Sequence, residues 1–292
     1  MKPEIVATAL PFAEGPVWCP DGTLVITHVA PGCLRRIWPE SGKSEIIART
    51  RGGANAAQLA ADGGFVVTQN GGFDFSAIAD MLGLARDTIP PLDAVEPGLQ
   101  RVGPSGEVNY LARGGLHAPN DLVVTPDGTL YFTDPGPYPP EESGAGRVLA
   151  CSRDGGFHTV ADGFLYDNGI ALSPGGRILV VEALGLMWID RDGRKEWLVE
   201  QLPGASPADG LSFDRDGRIY VVAPMDHCVR VLDPDGKEVD VLEAGEGALP
   251  TNCCFGGADG RTLFVTELTP GRVLAFEGMP APGLPLTPWL GG

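Results

Sequence analysis

The chain has 292 residues, a formal net charge of −17, 42 glycines and 27 prolines. That charge argues against binding a nucleic acid backbone, which needs a basic surface, and no run of 18 apolar residues is long enough to span a membrane. The glycine and proline content suits a chain of many tight turns, not long helices.

Met1–Thr8 has no sustained apolar segment ending in a cleavage site, so no secretory signal is read and a cytoplasmic protein is expected. Within that stretch Glu4–Thr8 reads as a strand. Gly15–Cys19, Leu24–His28, Leu34–Trp38 and Ser44–Ala48 follow as four more, with turns at Pro20-Asp21-Gly22 and Ser41-Gly42. The same hairpin recurs as Leu122–Asp134, Ile170–Glu182 and Leu211–Val222, and outer hairpins turn at Asp154-Gly155, Asp192-Gly193 and Asp235-Gly236.

The copies share a register. Glu14, Asn55, Asn120, Asn168, Asp209 and Asn252 each stand eight residues before a turn glycine: Gly22, Gly63, Gly128, Gly176, Gly217 and Gly260. Four of the six asparagines in the chain fall in this column. The glycines lie 41, 65, 48, 41 and 43 residues apart. A period of about 40–45 residues with four strands per copy is a propeller blade. The expected fold is therefore all-β, one six-bladed propeller domain over residues 1–292 with four-stranded antiparallel blades. The last copy has Cys253–Gly256, Leu263–Glu267 and Arg272–Phe276 and then a Pro-rich tail, so the N-terminal strand is expected to complete it.

Two copies carry insertions: about 24 residues around Phe73 to Gly98 and about eight around Pro135 to Ala145. Chain direction alternates within a blade. Both insertions therefore belong to the strand-two to strand-three connection, at the same end of the channel as the column of oxygen ligands, where they would wall its mouth. Phe75–Arg86 reads as a short helix with Ile78, Met81, Leu82 and Ala85 on one side.

Innermost strands of a propeller converge on a central channel, so the column becomes a ring of two carboxylates and four amides. Such an all-oxygen set suits one divalent cation, Ca²⁺ first, with Mg²⁺, Mn²⁺ or Zn²⁺ as alternatives. Asn and Asp also start strands because they cap backbone groups; that accounts for one copy more readily than for six in register. The cysteines, Cys19, Cys33, Cys151, Cys228, Cys253 and Cys254, form no C-x-x-C pair and read as reduced, mostly buried thiols. Adjacent Cys253 and Cys254 should point to opposite faces of a strand. No G-x-S-x-G or H-E-x-x-H motif is present. Of the scattered histidines, His117 stands three residues before Asn120 and could reach the mouth. Asp121 is expected to point away from the channel. Asp134 and Glu182, late in second strands, read as structural, and Trp18 and Trp188 as packing residues.

Glu-Gly-Pro-Val-Trp at 14–18, Pro-Asn-Asp-Leu at 119–122, Asp-Asn-Gly-Ile-Ala-Leu-Ser-Pro at 167–174 and Ala-Asp-Gly-Leu at 208–211 together resemble the senescence marker protein (regucalcin)/gluconolactonase/luciferin-regenerating-enzyme-like family. The resemblance covers nearly the whole chain. It implies a metal-dependent lactonase, with Glu14, Asn168 and Asp209 as metal ligands and Asn120 binding substrate or joining the metal shell. The expected partner is a small-molecule substrate, with no nucleic acid or membrane partner, and a monomer or small homo-oligomer is expected. Animal lactonases of the family carry an arginine two residues before the matching asparagine, where this chain has Ala118. That departure, with the apolar insertion, widens the expected substrate from a sugar lactone to a less polar one. Asp209 is the candidate catalytic base or nucleophile, and Asn120, His117, Phe73 and Asn55 are the candidate substrate contacts. Related diisopropyl-fluorophosphatases set a similar ring around Ca²⁺, so phosphotriester hydrolysis is one alternative, and a calcium- or ligand-binding propeller without turnover is the other.

Overall fold

Runs such as Leu24–His28 and Ile178–Glu182 are apolar on both faces, because each lies in a sheet that is itself sandwiched between two others. The computed structural model describes residues 1–80, 84–136, 144–204 and 207–291. It contains six four-stranded antiparallel sheets, the blades of a propeller. Blade 1 is β2 (Ala13–Trp18), β3 (Leu24–His28), β4 (Cys33–Trp38) and β5 (Lys43–Arg49). Blade 2 is β6 (Ala54–Leu59), β7 (Phe65–Gln69), β8 (Gly98–Val102) and β9 (Val108–Arg113). Blade 3 is β10 (Leu122–Val124), β11 (Leu130–Asp134), β12 (Gly146–Cys151) and β13 (Phe157–Phe164). Blade 4 is β14 (Asp167–Leu172), β15 (Ile178–Glu182), β16 (Gly185–Ile189) and β17 (Lys195–Val199). Blade 5 is β18 (Leu211–Phe213), β19 (Ile219–Ala223), β20 (Cys228–Leu232) and β21 (Glu238–Glu243). Blade 6 is β22 (Leu249–Gly256), β23 (Thr262–Thr269) and β24 (Val273–Phe276), completed by β1 (Glu4–Ala7) with Glu4 opposite Ala275. The expected closure by the N-terminal strand is thus present, and it covers an edge that would otherwise invite pairing with another chain.

All six register glycines have positive φ, from 72° to 88°, and each donates its amide to the carbonyl three residues before it. Glycine alone adopts that backbone without a steric penalty. This is why the turn recurs so faithfully in the sequence.

The core is divided among the blade interfaces. Six apolar clusters lie between successive sheets. Cys253 packs in the cluster between blades 5 and 6, and Cys254 packs against the one between blades 6 and 1, so the two thiols do face opposite sides of β22. All six cysteines are free, and only Cys254 is not fully buried. Trp18 stacks on Phe264 at 5.2 Å and Trp188 on Phe213 at 6.2 Å, as packing residues.

The Pro-rich tail is part of the structure. Gly283 bonds Gly260, Pro282 accepts from Arg215, and Gln58 donates to the Thr287 carbonyl at 2.9 Å. Trp289, 1% exposed, sits in the cluster between blades 2 and 3 and exchanges backbone bonds with Leu59 and Ala61. The tail thereby crosses from blade 6 past blade 5 to blade 2 at the turn-glycine end of the channel.

Among its described residues the first insertion does not form the expected helix. It makes two short 3₁₀ turns, Phe75–Ile78 and Arg86–Thr88. Phe75 is drawn instead against Phe12 at 4.5 Å, in a small cluster with Val29. A helix this short gains too little by itself to resist such tertiary packing. Met81 and Leu82, assigned to its apolar side, lie outside the described residues, as does most of the second insertion.

Candidate metal and catalytic site

Each ring residue sits where the inner strand breaks its regular pairing. Bulges fall between Glu14 and Val17, Ala54 and Ala57, Asp167 and Ile170, and Pro250 and Cys253. Asn120 and Asp209 lie just before β10 and β18 begin. A bulge re-aims a side chain away from strict alternation, and here it turns the column toward the axis. Close approach of neighbouring strands is made possible by small residues beside the ring. A Cβ on Gly15, whose φ is +33°, would stand 2.7 Å from the Asn55 carbonyl oxygen, and one on Gly169 would stand 2.4 Å from that of Asp209.

The ring is unequal around its circumference. On one side lie acids. Asn252 Nδ2 donates to Glu14 Oε2 at 3.0 Å and to both carboxylate oxygens of Asp121 at 3.0 Å. The Gly15 amide also donates to Glu14 Oε2, at 2.5 Å. Burial pushes the Glu14 carboxyl well above the usual carboxylate range, and Asp209 and Asp121 push it further. Burial likewise raises Asp209, reinforced by Asp121 and opposed by Asn168. Asp209 is half-buried. Asp121 is held up to about 7 by burial, against hydrogen bonds from Asn252 and the Ile170 amide. The expectation that Asp121 points away from the channel is therefore overturned. It joins Glu14 and Asp209 because β10 starts only at Leu122, and the alternation rule does not govern the residue before it.

On the other side lie amides. Asn55 Nδ2 donates to Asn120 Oδ1 at 3.0 Å, and Asn70 Nδ2 donates to Asn55 Oδ1 at 3.2 Å. Asn70 Oδ1 in turn accepts from Gly72, at the root of the first insertion, at 2.9 Å. The amide planes of Asn55 and Asn120 are thus fixed by a chain of donors that starts at Gly72 and Asn70, which the sequence column did not include.

Asn168 separates the two sides. Its Nδ2 donates to Ala208 O at 3.4 Å, but its Oδ1 is buried with no hydrogen-bond partner. An orphaned amide oxygen costs about 1–3 kcal/mol, and three mutually repelling buried carboxyls cost more. A hard cation remedies both, since it takes neutral and anionic oxygens together. The donor set fits one such ion. Among the described residues no three His, Cys, Asp or Glu side chains form a metal cage by themselves, so the amides are needed to complete it.

Around the ring, Asp134 and Glu182 are structural. Asp134 accepts from the His117 amide at 2.9 Å and the Ala118 amide at 2.8 Å, and pairs with Arg147 at 2.7 Å. Glu182 accepts from the Leu165 and Tyr166 amides at 2.7 and 3.2 Å. Each carboxylate thus latches the loop that delivers its own blade's ring residue. His117 is exposed on its latched loop, and Phe73 is half-buried against Phe75 at 4.9 Å.

A set of threonines had gone unread. Thr27 donates to the Asn55 carbonyl at 2.5 Å, Thr68 to that of Asn120, and Thr133 to that of Asn168 at 2.6 Å. The hydroxyl of one blade so ties down the ring residue of the next. Thr68 and Thr133 also accept from the amides of Ala56 and Asp121 in their own blades, at 2.8 and 3.0 Å. The signal was present as a second column: Thr27-His28, Thr68-Gln69, Thr133-Asp134 and Thr266-Glu267, with valine in place of threonine at Val181 and Val222.

Residues 12–269 match the family described as SMP-30/Gluconolactonase/LRE-like region. The chain is 27% identical to a gluconolactonase of Zymomonas mobilis, over 90% of this chain and 78% of that protein. Among solved structures, a gluconolactonase from Xanthomonas campestris superposes with a TM-score of 0.72 at 22% identity, covering 94% of this chain and 89% of that one. A regucalcin of Agrobacterium tumefaciens, described as calcium-binding, gives 0.78 at 18% identity over 99% and 97%. Fold, register and a match over most of the length agree: the chain belongs to the SMP-30/gluconolactonase/LRE-like family.

Proposed function

We propose that this protein is a divalent-cation-dependent hydrolase that opens a lactone. The observation that carries the reading is the orphaned Asn168 Oδ1 beside Asp209, whose carboxyl, like those of Glu14 and Asp121, is held above its ordinary range by burial. Glu14, Asn168, Asp209 and Asn120 would hold the ion, with Ca²⁺ favoured by the all-oxygen set and by the calcium-binding description of the regucalcin. When bound, such an ion polarises a carbonyl oxygen and makes a water easier to deprotonate.

The chain's own groups supply the rest. Asp209, half-buried in the ring, accepts the proton of the attacking water. Asn120, fixed by Asn55, offers its amide to the substrate, and His117 and Phe73 bound the mouth above it. The gluconolactonase of Zymomonas mobilis supports a lactone over a phosphorus ester as substrate.

The test is to strip the protein with a chelator and measure opening of gluconolactone and hydrolysis of diisopropyl fluorophosphate before and after adding back Ca²⁺, Mg²⁺, Mn²⁺ or Zn²⁺. Lactone opening should vanish and return with one metal. Asp209→Asn and Glu14→Gln should each lose activity by about a thousandfold, several kcal/mol of transition-state stabilisation, with unchanged circular dichroism. Full activity in the stripped protein, or in both variants, would refute the reading; turnover of the fluorophosphate alone would replace it.

A further inference from the structure

Beyond the chemistry of the ring, the loops above it select for something. Four large apolar side chains stand exposed there: Leu92 (51%), Leu165 (42%), Leu184 (38%) and Met225 (49%). They come from blades 2, 4 and 5, and each is tied closely to the ring. Leu92 lies over Gly72, where a Cβ would stand 2.8 Å from it, and Gly72 leads through Asn70 and Asn55 to Asn120. Leu165 is held by Glu182, three residues before Asn168. Leu184 follows Ala183, whose carbonyl accepts from Ala208, the neighbour of Asp209, at 3.2 Å. Met225 stands three residues past Val222, which accepts from the Asp209 amide at 2.9 Å.

Four arginines among the described residues at this end are engaged by carboxylates. Arg51 pairs with Asp93, Arg86 with Asp80, Arg113 with Glu96 and Arg147 with Asp134. Among the described residues, the four apolar side chains offer exposed apolar surface beside arginines already engaged by carboxylates. Scattered exposed apolar residues need no explanation, but four on the very loops that lead to the ring call for one. A sugar lactone, hydroxylated on every face, would gain nothing from these four side chains.

We infer that the substrate is an uncharged lactone bearing an apolar substituent, an alkyl chain or aromatic ring, which Leu92, Leu165, Leu184 and Met225 contact while the lactone carbonyl lies at the ring. The inference rests on the lactonase reading above and deepens it.

The experiment compares kcat/KM for δ-gluconolactone with that for a δ-lactone carrying a linear alkyl chain, in the metal-loaded wild-type protein and in Leu165→Ser, Leu184→Ser and the triple variant with Met225→Ser. Wild type should favour the alkyl lactone by at least about tenfold, and the triple variant should lose about that factor for it, as expected for a few contacts of methylene size, while gluconolactone turnover is unchanged. A preference for gluconolactone, or equal losses on both substrates, would overturn the inference. Binding of the corresponding alkyl and polyhydroxylated lactams, which are not opened, is measured in parallel by calorimetry. Tighter alkyl-lactam binding that the triple variant abolishes, with no lactone opened, keeps the apolar selectivity and removes the hydrolase reading. No discrimination between the lactams removes the selectivity whatever the turnover.

Discussion

The two ends of the channel are built on opposite plans. At the upper end, where the inner strands begin, bulges and loops aim acids and amides inward, and the loops are pinned by single side chains such as Asp134 and Glu182. At the lower end all six inner strands run regularly, and Leu284–Thr287 of the tail lie beneath them. A cavity of about 170 Å³ remains between the tail and the ring, with Asp121 and Asn252 among its lining residues. The upper end gathers carboxyls raised by burial and by one another; the lower end has regular pairing and apolar packing with which to oppose that cost.

This contrast is broken most severely at the tail. Trp289 fills the interface of blades 2 and 3, with the Arg101 guanidinium 5.9 Å from its ring. Trp289→Ala should cost about 3–5 kcal/mol, seen as a lower urea midpoint and rapid proteolysis of the released tail. Turnover at low temperature should stay within about twofold of wild type, because Trp289 bonds the chain at Leu59 and Ala61 and not at a ring residue. A loss of turnover with stability intact would show that the two ends are not independent.

A smaller effect is expected at the upper end. His28, at the end of β3, is buried, its Nδ1 is 3.9 Å from Cys33 Sγ, and its Nε2 has no hydrogen-bond partner. Burial, helped by Arg35, lowers its pKa from 6.5 to about 4. A depressed histidine favours the folded state fully above pH 6.5, where both states are neutral. That advantage is lost as pH falls toward 4, because only the unfolded chain takes up the proton. The loss should reach roughly 2–3 kcal/mol. His28→Gln, the residue type at the equivalent Gln69, should remove this component. Urea midpoints at pH 7 and pH 4.5 should then converge more in the variant than in wild type; parallel curves would show that His28 is not the titrating group.

Most of the scaffold was legible because its signals are local. A turn glycine at positive φ, the ligand residue eight positions before it and the β-branched run after it all lie within one hairpin. The closing strand was legible for another reason, since the last copy was short of one strand and the chain began with one to spare. The site was legible as a column but not in its wiring. Asp121 was misread because alternation was extended to a residue that precedes its strand. Asn70 was missed because it belongs to no repeat and acts through Asn55. The tail's course depends on where blades 2 and 5 end in space, which no local pattern specifies, although a lone tryptophan in a Pro- and Gly-rich segment was a hint. The first insertion misled because its apolar spacing was compatible with a helix while its strongest apolar residue, Phe75, had a partner 63 positions earlier in Phe12.

The smallest effect concerns how the ends are joined. Thr133 accepts from the Asp121 amide and donates to the Asn168 carbonyl, so one hydroxyl holds two ring positions in adjacent blades. Thr133→Val keeps the shape and removes both bonds, leaving a buried amide and carbonyl to find other partners. About 1–2 kcal/mol of stability should be lost, less than at either site above. If the ring residues flank the substrate as proposed, kcat should fall with little change in KM, since the loosened positions then matter mainly as the transition state forms. Val181 and Val222 occupy the equivalent places in blades 4 and 5, so those blades hold their ring neighbours without this bond. Thr133→Ser, which restores the hydroxyl but not the methyl, should recover more of kcat than of stability. If serine instead recovers neither, the threonine column is packing, and the coupling between the acid and amide sides of the ring lies in the bulges themselves.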